Sequence, residues 1–308
     1  MAMSTGRSSV ADLVRAFAIL LVISVHMQNF LSVPLRADPF AFEVLKFIAI
    51  ACFTAVSGYV IHAANRKIRS IPEAVHFYKK RNVRVYPLYL VALVLFFLGF
   101  QVAGFFPPLH LTPADWIVNV LCLQVILSPA FAEPVFTLWF IGFIMAMYAI
   151  YPLLSGIAGV WQKVAAAAGI ILGAVLFHYT LGIIDFRFFL YYFFFIGGMI
   201  AAECGNRFTC GARYSQIVPG SRLARAGGAV AYSSYCVFLF HMPVFTIAGS
   251  LLSASSISGN LGDAIIVLLV IPAIFFSCYH VQRSYDRLTG DLQARLRNEE
   301  TATPAGLL

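Results

Sequence analysis

Apolar runs of roughly 17 to 25 residues recur along the whole chain, each long enough to cross a hydrocarbon core of about 30 Å as a helix. A transmembrane barrel would instead show shorter segments of alternating polarity. Composition agrees: 61% of the 308 residues are hydrophobic and only 11% charged, with mean hydropathy +0.86. A soluble domain carries about a quarter charged residues. The chain therefore reads as all-α, a polytopic integral membrane helical bundle of about 8–10 transmembrane helices.

Candidate spans lie at roughly 13–32, 43–64, 85–106, 115–131, 136–160, 163–184, 187–203, 229–251 and 263–282. The opening "MAMSTGRSSV" runs into the first span with no cleavage pattern, so that span is expected to be a retained signal-anchor helix. The connector "NRKIRSIPEAVHFYKKRNVR" sets Arg66, Lys67, Arg69, Lys79, Lys80, Arg81 and Arg84 against Glu73, which predicts a cytoplasmic connector, a cytoplasmic N-terminus and an outer "PLRADPF" loop. A second basic connector, 204–228, and the Arg-rich tail both want the same side, which favours eight full spans. The short segment 115–131, opening at Asp115 and closing at Ser128-Pro129, is the one expected to be re-entrant or partly inserted. Residues 8–289 read as one integral membrane domain without internal repeat, and 290–308 as a disordered cytoplasmic tail.

The net charge of +8 sits in a few connectors, as cytoplasmic loops require, and argues against a nucleic-acid partner. The six cysteines, Cys52, Cys122, Cys204, Cys210, Cys236 and Cys278, form no CxxC pair, and no metal site is expected. Cys204 and Cys210 could pair only in an oxidising compartment.

Polar groups within these spans are the functional candidates. In "DLVRAFAILLVISVHMQNF", Arg15 and His26 are eleven residues apart, so they share nearly one face roughly 16 Å apart along the axis. They could line one path at two depths. Equally, His26 could be interhelical glue, and Arg15 with Asp12 an interfacial anchor. Ser57-Gly58 in the second span suits close helix packing. Arg81 and Arg84, three apart, suit either positive-inside anchoring or a phosphate cradle. Trp139 fits an aromatic belt, and Ser234 and His241, seven apart, share a face.

Taken in order, these pieces resemble the membrane-bound acyltransferase family 3. The first-helix pattern D-x-x-R followed by H is met by Asp12, Arg15 and His26, and "FTAVSG" follows on the second span. "RNVRVYP" comes at the third, including Arg81, Arg84 and Tyr86. Leu138, Trp139, Phe140, Tyr148 and Pro152 come next, and "SYCVFLFHMP" closes the set. The resemblance implies transfer of an acyl group, usually acetyl, from cytoplasmic acyl-CoA to a carbohydrate hydroxyl in a bacterial inner membrane. The acceptor would be exopolysaccharide, lipopolysaccharide, an oligosaccharide or a lipid-linked glycan. It implies no bound cofactor, with acetyl-CoA as donor substrate. His26 becomes the essential imidazole and leading general base. Arg15 joins it in catalysis, and Arg15, Arg81 and Arg84 hold anionic CoA or stabilise developing charge. Asp12, Ser57, Tyr86, Trp139, Ser234 and His241 complete the expected substrate-binding set.

The chain departs from the family pattern in three places. Ile144 and Met145 stand where many relatives carry acidic residues, Phe238 replaces the second Tyr of the late motif, and the stretch before that motif is short. Direct transfer and an acyl-His26 intermediate both stay open. So do two other functions: a transporter or flippase of a glycan precursor, and a catalytically degenerate subunit of a glycan-export system.

Overall fold

The computed structural model describes residues 9–32, 39–64, 68–99, 103–104, 111–205, 222–292 and 294–295. Arg66, Lys67, Arg207, Cys210, Arg213 and the stretch 296–308 lie outside the described residues, as do 33–38 of the expected outer loop. Among the described residues there is no strand. The helices are α1 (Ser9–Met27), α2 (Pro39–Ala64), α3 (Ile71–Phe97), α4 (Pro113–Val120), α5 (Trp139–Ser155), α6 (Val160–Leu181), α7 (Phe186–Gly205), α8 (Arg222–Ala254), α9 (Gly259–Ile265) and α10 (Ile271–Leu288). A 3-10 turn, Phe136–Leu138, leads into α5, and a π segment, Ile266–Val270, joins α9 to α10.

Seven stretches among the described residues are long and apolar enough to cross a bilayer, with α9 to α10 counting as one. Helix α3 matches them in length at 27 residues, but Lys79, Lys80, Arg81 and Arg84 occupy its first half. Residues 115–131 do not make a span: α4 has eight residues, a rise of only about 12 Å. The fold is thus a polytopic helical membrane protein, and the expected weak span is the irregular one.

The described chain falls into two compact units. The first comprises Met1–Ala64, Leu95–Leu109 and Tyr191–His280; the second comprises Asn65–Val94, His110–Leu190 and Val281–Leu308.

In the first unit α1 packs against α2 and α8, burying Ala18 and Ile19 completely. Helices α2 and α7 approach backbone to backbone. A Cβ on Gly58 would run into the Phe195 carbonyl, and one on Gly198 into that of Ala55. Only small residues permit such an approach. The chain leaving α1 is pinned to the start of α9, where Ser32 N–H donates to Asp263 Oδ1 at 2.8 Å and Gly259 N–H donates to Ser32 Oγ at 2.9 Å. That anchorage fixes the last turn of α1, where His26 sits.

The second unit holds the irregular segment. Thr112 caps α4, accepting from Asp115 N–H, while the Asp115 carboxylate accepts from Thr112 N–H at 2.6 Å. Beyond α4 the chain turns without regular structure to Val135, and buried side chains satisfy its backbone. Asn119 donates to the carbonyls of Asp115 (2.8 Å) and Glu133 (2.9 Å) and accepts from Val135 N–H (3.1 Å). Gln124 donates to Leu138 O at 3.1 Å, and Tyr89 donates to Asn119 O at 2.6 Å. Non-helical backbone at membrane depth is tolerable only with such internal partners. Burial pushes the Asp115 carboxyl up, but hydrogen bonds from Thr112 and from Glu133 N–H outweigh it and hold it below the usual carboxylate range.

Candidate functional site

The site builds from the end of α1. His26 occupies the last helical turn, and Asn29 N–H bonds back to its carbonyl at 3.2 Å. After the pinned connection the chain re-enters as α2, whose first turns carry Phe42, Glu43 and Lys46. These groups, with Val25, Asn29 and Pro39, line a cavity of about 410 Å³ into which His26 opens. That volume suits a small-molecule site, about 300–1,000 Å³. Lys46 Nζ lies 2.8 and 2.9 Å from the two Glu43 carboxylate oxygens and 5.6 Å from the Phe42 ring centre. Their side chains are 42% and 65% exposed, so the ion pair is not locked in place by packing.

Behind His26, from α8, stands His241. The two rings are 5.0 Å apart between centroids, at an interplanar angle of 50°. His241 is completely buried, with Nδ1 at 3.0 Å from Val237 O and 2.9 Å from Phe238 O. Ser234, one face below it, donates to Ala231 O at 2.8 Å. At the other end of α1, Arg15 lies 4.0 Å from Asp12. Ser57 donates to Phe53 O at 2.7 Å within its own helix. Asp12, Arg15, His26, Ser57, Ser234 and His241 therefore all belong to the first unit, and the rings of His26 and His241 are in contact.

The remaining expected residues belong to the second unit. The Arg81 guanidinium lies 5.3 Å from the Phe77 ring and 5.8 Å from that of Tyr148, while Arg84 is exposed. Tyr86 donates to Val120 O at 2.9 Å. Trp139 carries the Arg187 guanidinium 4.7 Å over its ring. Arg187 in turn grips Asp185 through Nε at 2.7 Å, and Ser128 donates to the same carboxylate at 3.4 Å. Burial raises the Asp185 carboxyl, yet the Arg187 and Ser128 bonds and the Arg187 charge hold it below the usual range.

Sequence reasoning missed Asn29, Glu43 and Lys46. Its available signal was an i,i+3 charge pair at the head of an otherwise apolar span. It also missed the Asp185–Arg187 fork over Trp139, visible as D-x-R between two spans, and the buried pair of His62 and Glu203, 3.6 Å apart.

The chain matches the family model of the acyltransferase 3 domain over residues 10–224, well over half its length. It belongs to that family and is a multi-pass membrane acyltransferase. The match ends before the Ser234–His241 segment of α8. No curated protein and no solved structure matches the chain.

Proposed function

We propose that the protein transfers an acyl group, acetyl in the first instance, from acyl-CoA to a hydroxyl of a carbohydrate acceptor such as exopolysaccharide, lipopolysaccharide or an oligosaccharide. Its setting is a bacterial inner membrane, with the N-terminus cytoplasmic. One observation carries the reading: in a chain of the acyltransferase 3 family, His26 opens into a mainly apolar cavity that also presents Asn29, Glu43 and Lys46.

The chemistry follows from the groups. A sugar hydroxyl is a weak nucleophile until a base takes its proton, and neutral imidazole is suited to that role. As the hydroxyl oxygen bonds to the thioester carbonyl carbon, His26 takes the proton. The C–S bond then breaks, the proton passes to the CoA sulfur, and an ester and free CoA result. Asn29, Glu43 and Lys46 supply donors and acceptors for the neighbouring hydroxyls of the acceptor. Arg15 in the first unit, and separately Arg81 and Arg84 in the second, are the candidates for the anionic part of the donor, as guanidinium forks favour phosphates. The roughly 16 Å from Arg15 to His26 along α1 suits a long donor whose charged end and thioester lie far apart.

Mass spectrometry of surface glycans tests this in strains with the intact gene, without it, and with His26→Ala. Loss of O-acyl ester in both altered strains is expected. Unchanged acylation in both refutes it, and accumulation of unexported precursor with normal acylation of the remainder would mean transport instead.

A further inference from the structure

Buried imidazoles are costly unless both ring nitrogens find partners. His241 satisfies one of them. Its Nδ1 faces two carbonyl oxygens, of Val237 and Phe238, and two acceptors can be served only by a proton on Nδ1. The neutral ring then has a bare lone pair at Nε2. That atom is buried and has no hydrogen-bond partner. Packed against the same ring, 5.0 Å between centroids, is the His26 imidazole that opens into the cavity. A neutral His26 that uses one nitrogen as a base must carry its proton on the other. It therefore owns the N–H that His241 lacks a partner for.

We propose that His241 is a positioning residue for the acyl transfer: its Nε2 accepts the His26 N–H, fixing the tautomer and ring angle in which the other His26 nitrogen faces the cavity. This inference rests on His26 as the base. The bond is not made in the free protein, where Nε2 has no partner and the ring centroids stand 5.0 Å apart, and it forms as His26 becomes cationic, since bonds to charged groups are the stronger ones. No proton leaves His26 for His241. The backbone carbonyls that hold Nδ1 lie on the same helix, so the acceptor is rigidly aimed without help from any carboxylate.

The test uses the full-length protein in phospholipid nanodiscs, with acetyl-CoA as donor, water as acceptor, and release of the CoA thiol as the readout. Three variants separate the functions of the ring. His241→Phe keeps its volume, His241→Asn keeps the bond to the backbone, and His241→Gln places an acceptor oxygen near the position of Nε2. The Phe and Asn variants are expected to lose roughly 10- to 100-fold in kcat, the effect of one hydrogen bond to a developing charge, with KM for acetyl-CoA within about 2-fold. Gln is expected to recover most of the loss. Wild-type kcat in the Phe variant, or equal losses in Asn and Gln, would overturn the inference. A second readout does not depend on turnover: the rate at which diethyl pyrocarbonate modifies His26, followed by peptide mass spectrometry. It should slow several-fold in Phe and Asn but not in Gln, because a lost acceptor makes the free nitrogen a weaker nucleophile. Equal modification in all four proteins also overturns the inference. If the wild type releases no CoA, the function proposed for His26 fails on its own, and the modification rates still decide whether His241 holds it.

Discussion

The irregular segment after α4 stands or falls with Asn119. This side chain is fully buried, and its amide makes three bonds that cannot be replaced locally. Truncating it by Asn119→Ala leaves the Asp115 carbonyl in the ladder of α4 but orphans Glu133 O and Val135 N–H. At about 1–3 kcal/mol for each buried orphan, the loss is about 2–6 kcal/mol. Set against a typical total of about 5–15 kcal/mol, that is a large share of the stability. The expected fall in Tm for a chain of this size is roughly 5–20 °C. Asn119→Asp should be worse than Ala, because it turns two donated bonds into lone pairs facing carbonyl oxygens and buries a charge. The assay is thermal unfolding in detergent, paired with hydrogen exchange over residues 121–135 to catch local melting below the global transition. Wild-type Tm together with wild-type exchange in the Ala variant would refute the reasoning. So would an Asp variant at least as stable as Ala, since the amide could not then be donating as described.

Three further outcomes follow. Gly58→Ala and Gly198→Ala should each lower Tm by the equivalent of about 1–3 kcal/mol, because α2 and α7 must separate, and the double variant should cost less than the sum. Additive losses in the thermal melts would show that the two glycines do not serve one contact. Asp185 and Asp115 have carboxyls depressed in the folded state, so their contribution is complete above the unfolded value near pH 4 and is lost as pH falls through the folded value. Tm of the wild type should therefore drop on acidification below about pH 4, and Asp185→Asn should flatten that drop while lowering Tm at neutral pH. Glu43→Gln and Lys46→Met should raise KM for the glycan acceptor more than they lower kcat, measured with acetyl-CoA saturating. A pure kcat loss would place them elsewhere in the reaction.

How much of this was legible in the sequence depends on whether a residue's partner is near it in the chain. Seven of the nine expected spans were readable because apolar length alone decides them; 85–106 instead overlaps α3, Ile71–Phe97, whose first half is basic, and the doubtful span, 115–131, was the one carrying Asp115 and a Ser-Pro close. Its cause was not readable. The capping box Thr112–Asp115 is a local pattern, but the bonds from Asn119 to Glu133 and Val135 join positions 14 and 16 apart, which no helical period reveals. The same holds at the site. Arg15 and His26 could be related by helical geometry because they share α1. Lys46 could not be linked to His26, since the link runs through a loop whose length sets no register.

His26 and His241 sharpen that contrast. From the sequence, His26 was the expected base, with hydrogen-bonded packing as the alternative, and His241 an expected substrate-binding residue sharing a face with Ser234. In the fold, packing accounts for His241 Nδ1 but leaves Nε2 bare, at a cost of about 1–3 kcal/mol to the folded chain. Glu43 and Lys46 carry less such cost, because their charges pair with each other at 2.8 and 2.9 Å. The polar groups of this site thus satisfy one another at Glu43 and Lys46, whereas His241 keeps an unpaired nitrogen. A Leu or Phe there would bring no unpaired nitrogen. On the proposal above, the unpaired nitrogen is what histidine contributes at that position, and the neighbouring ring in contact with it belongs to His26.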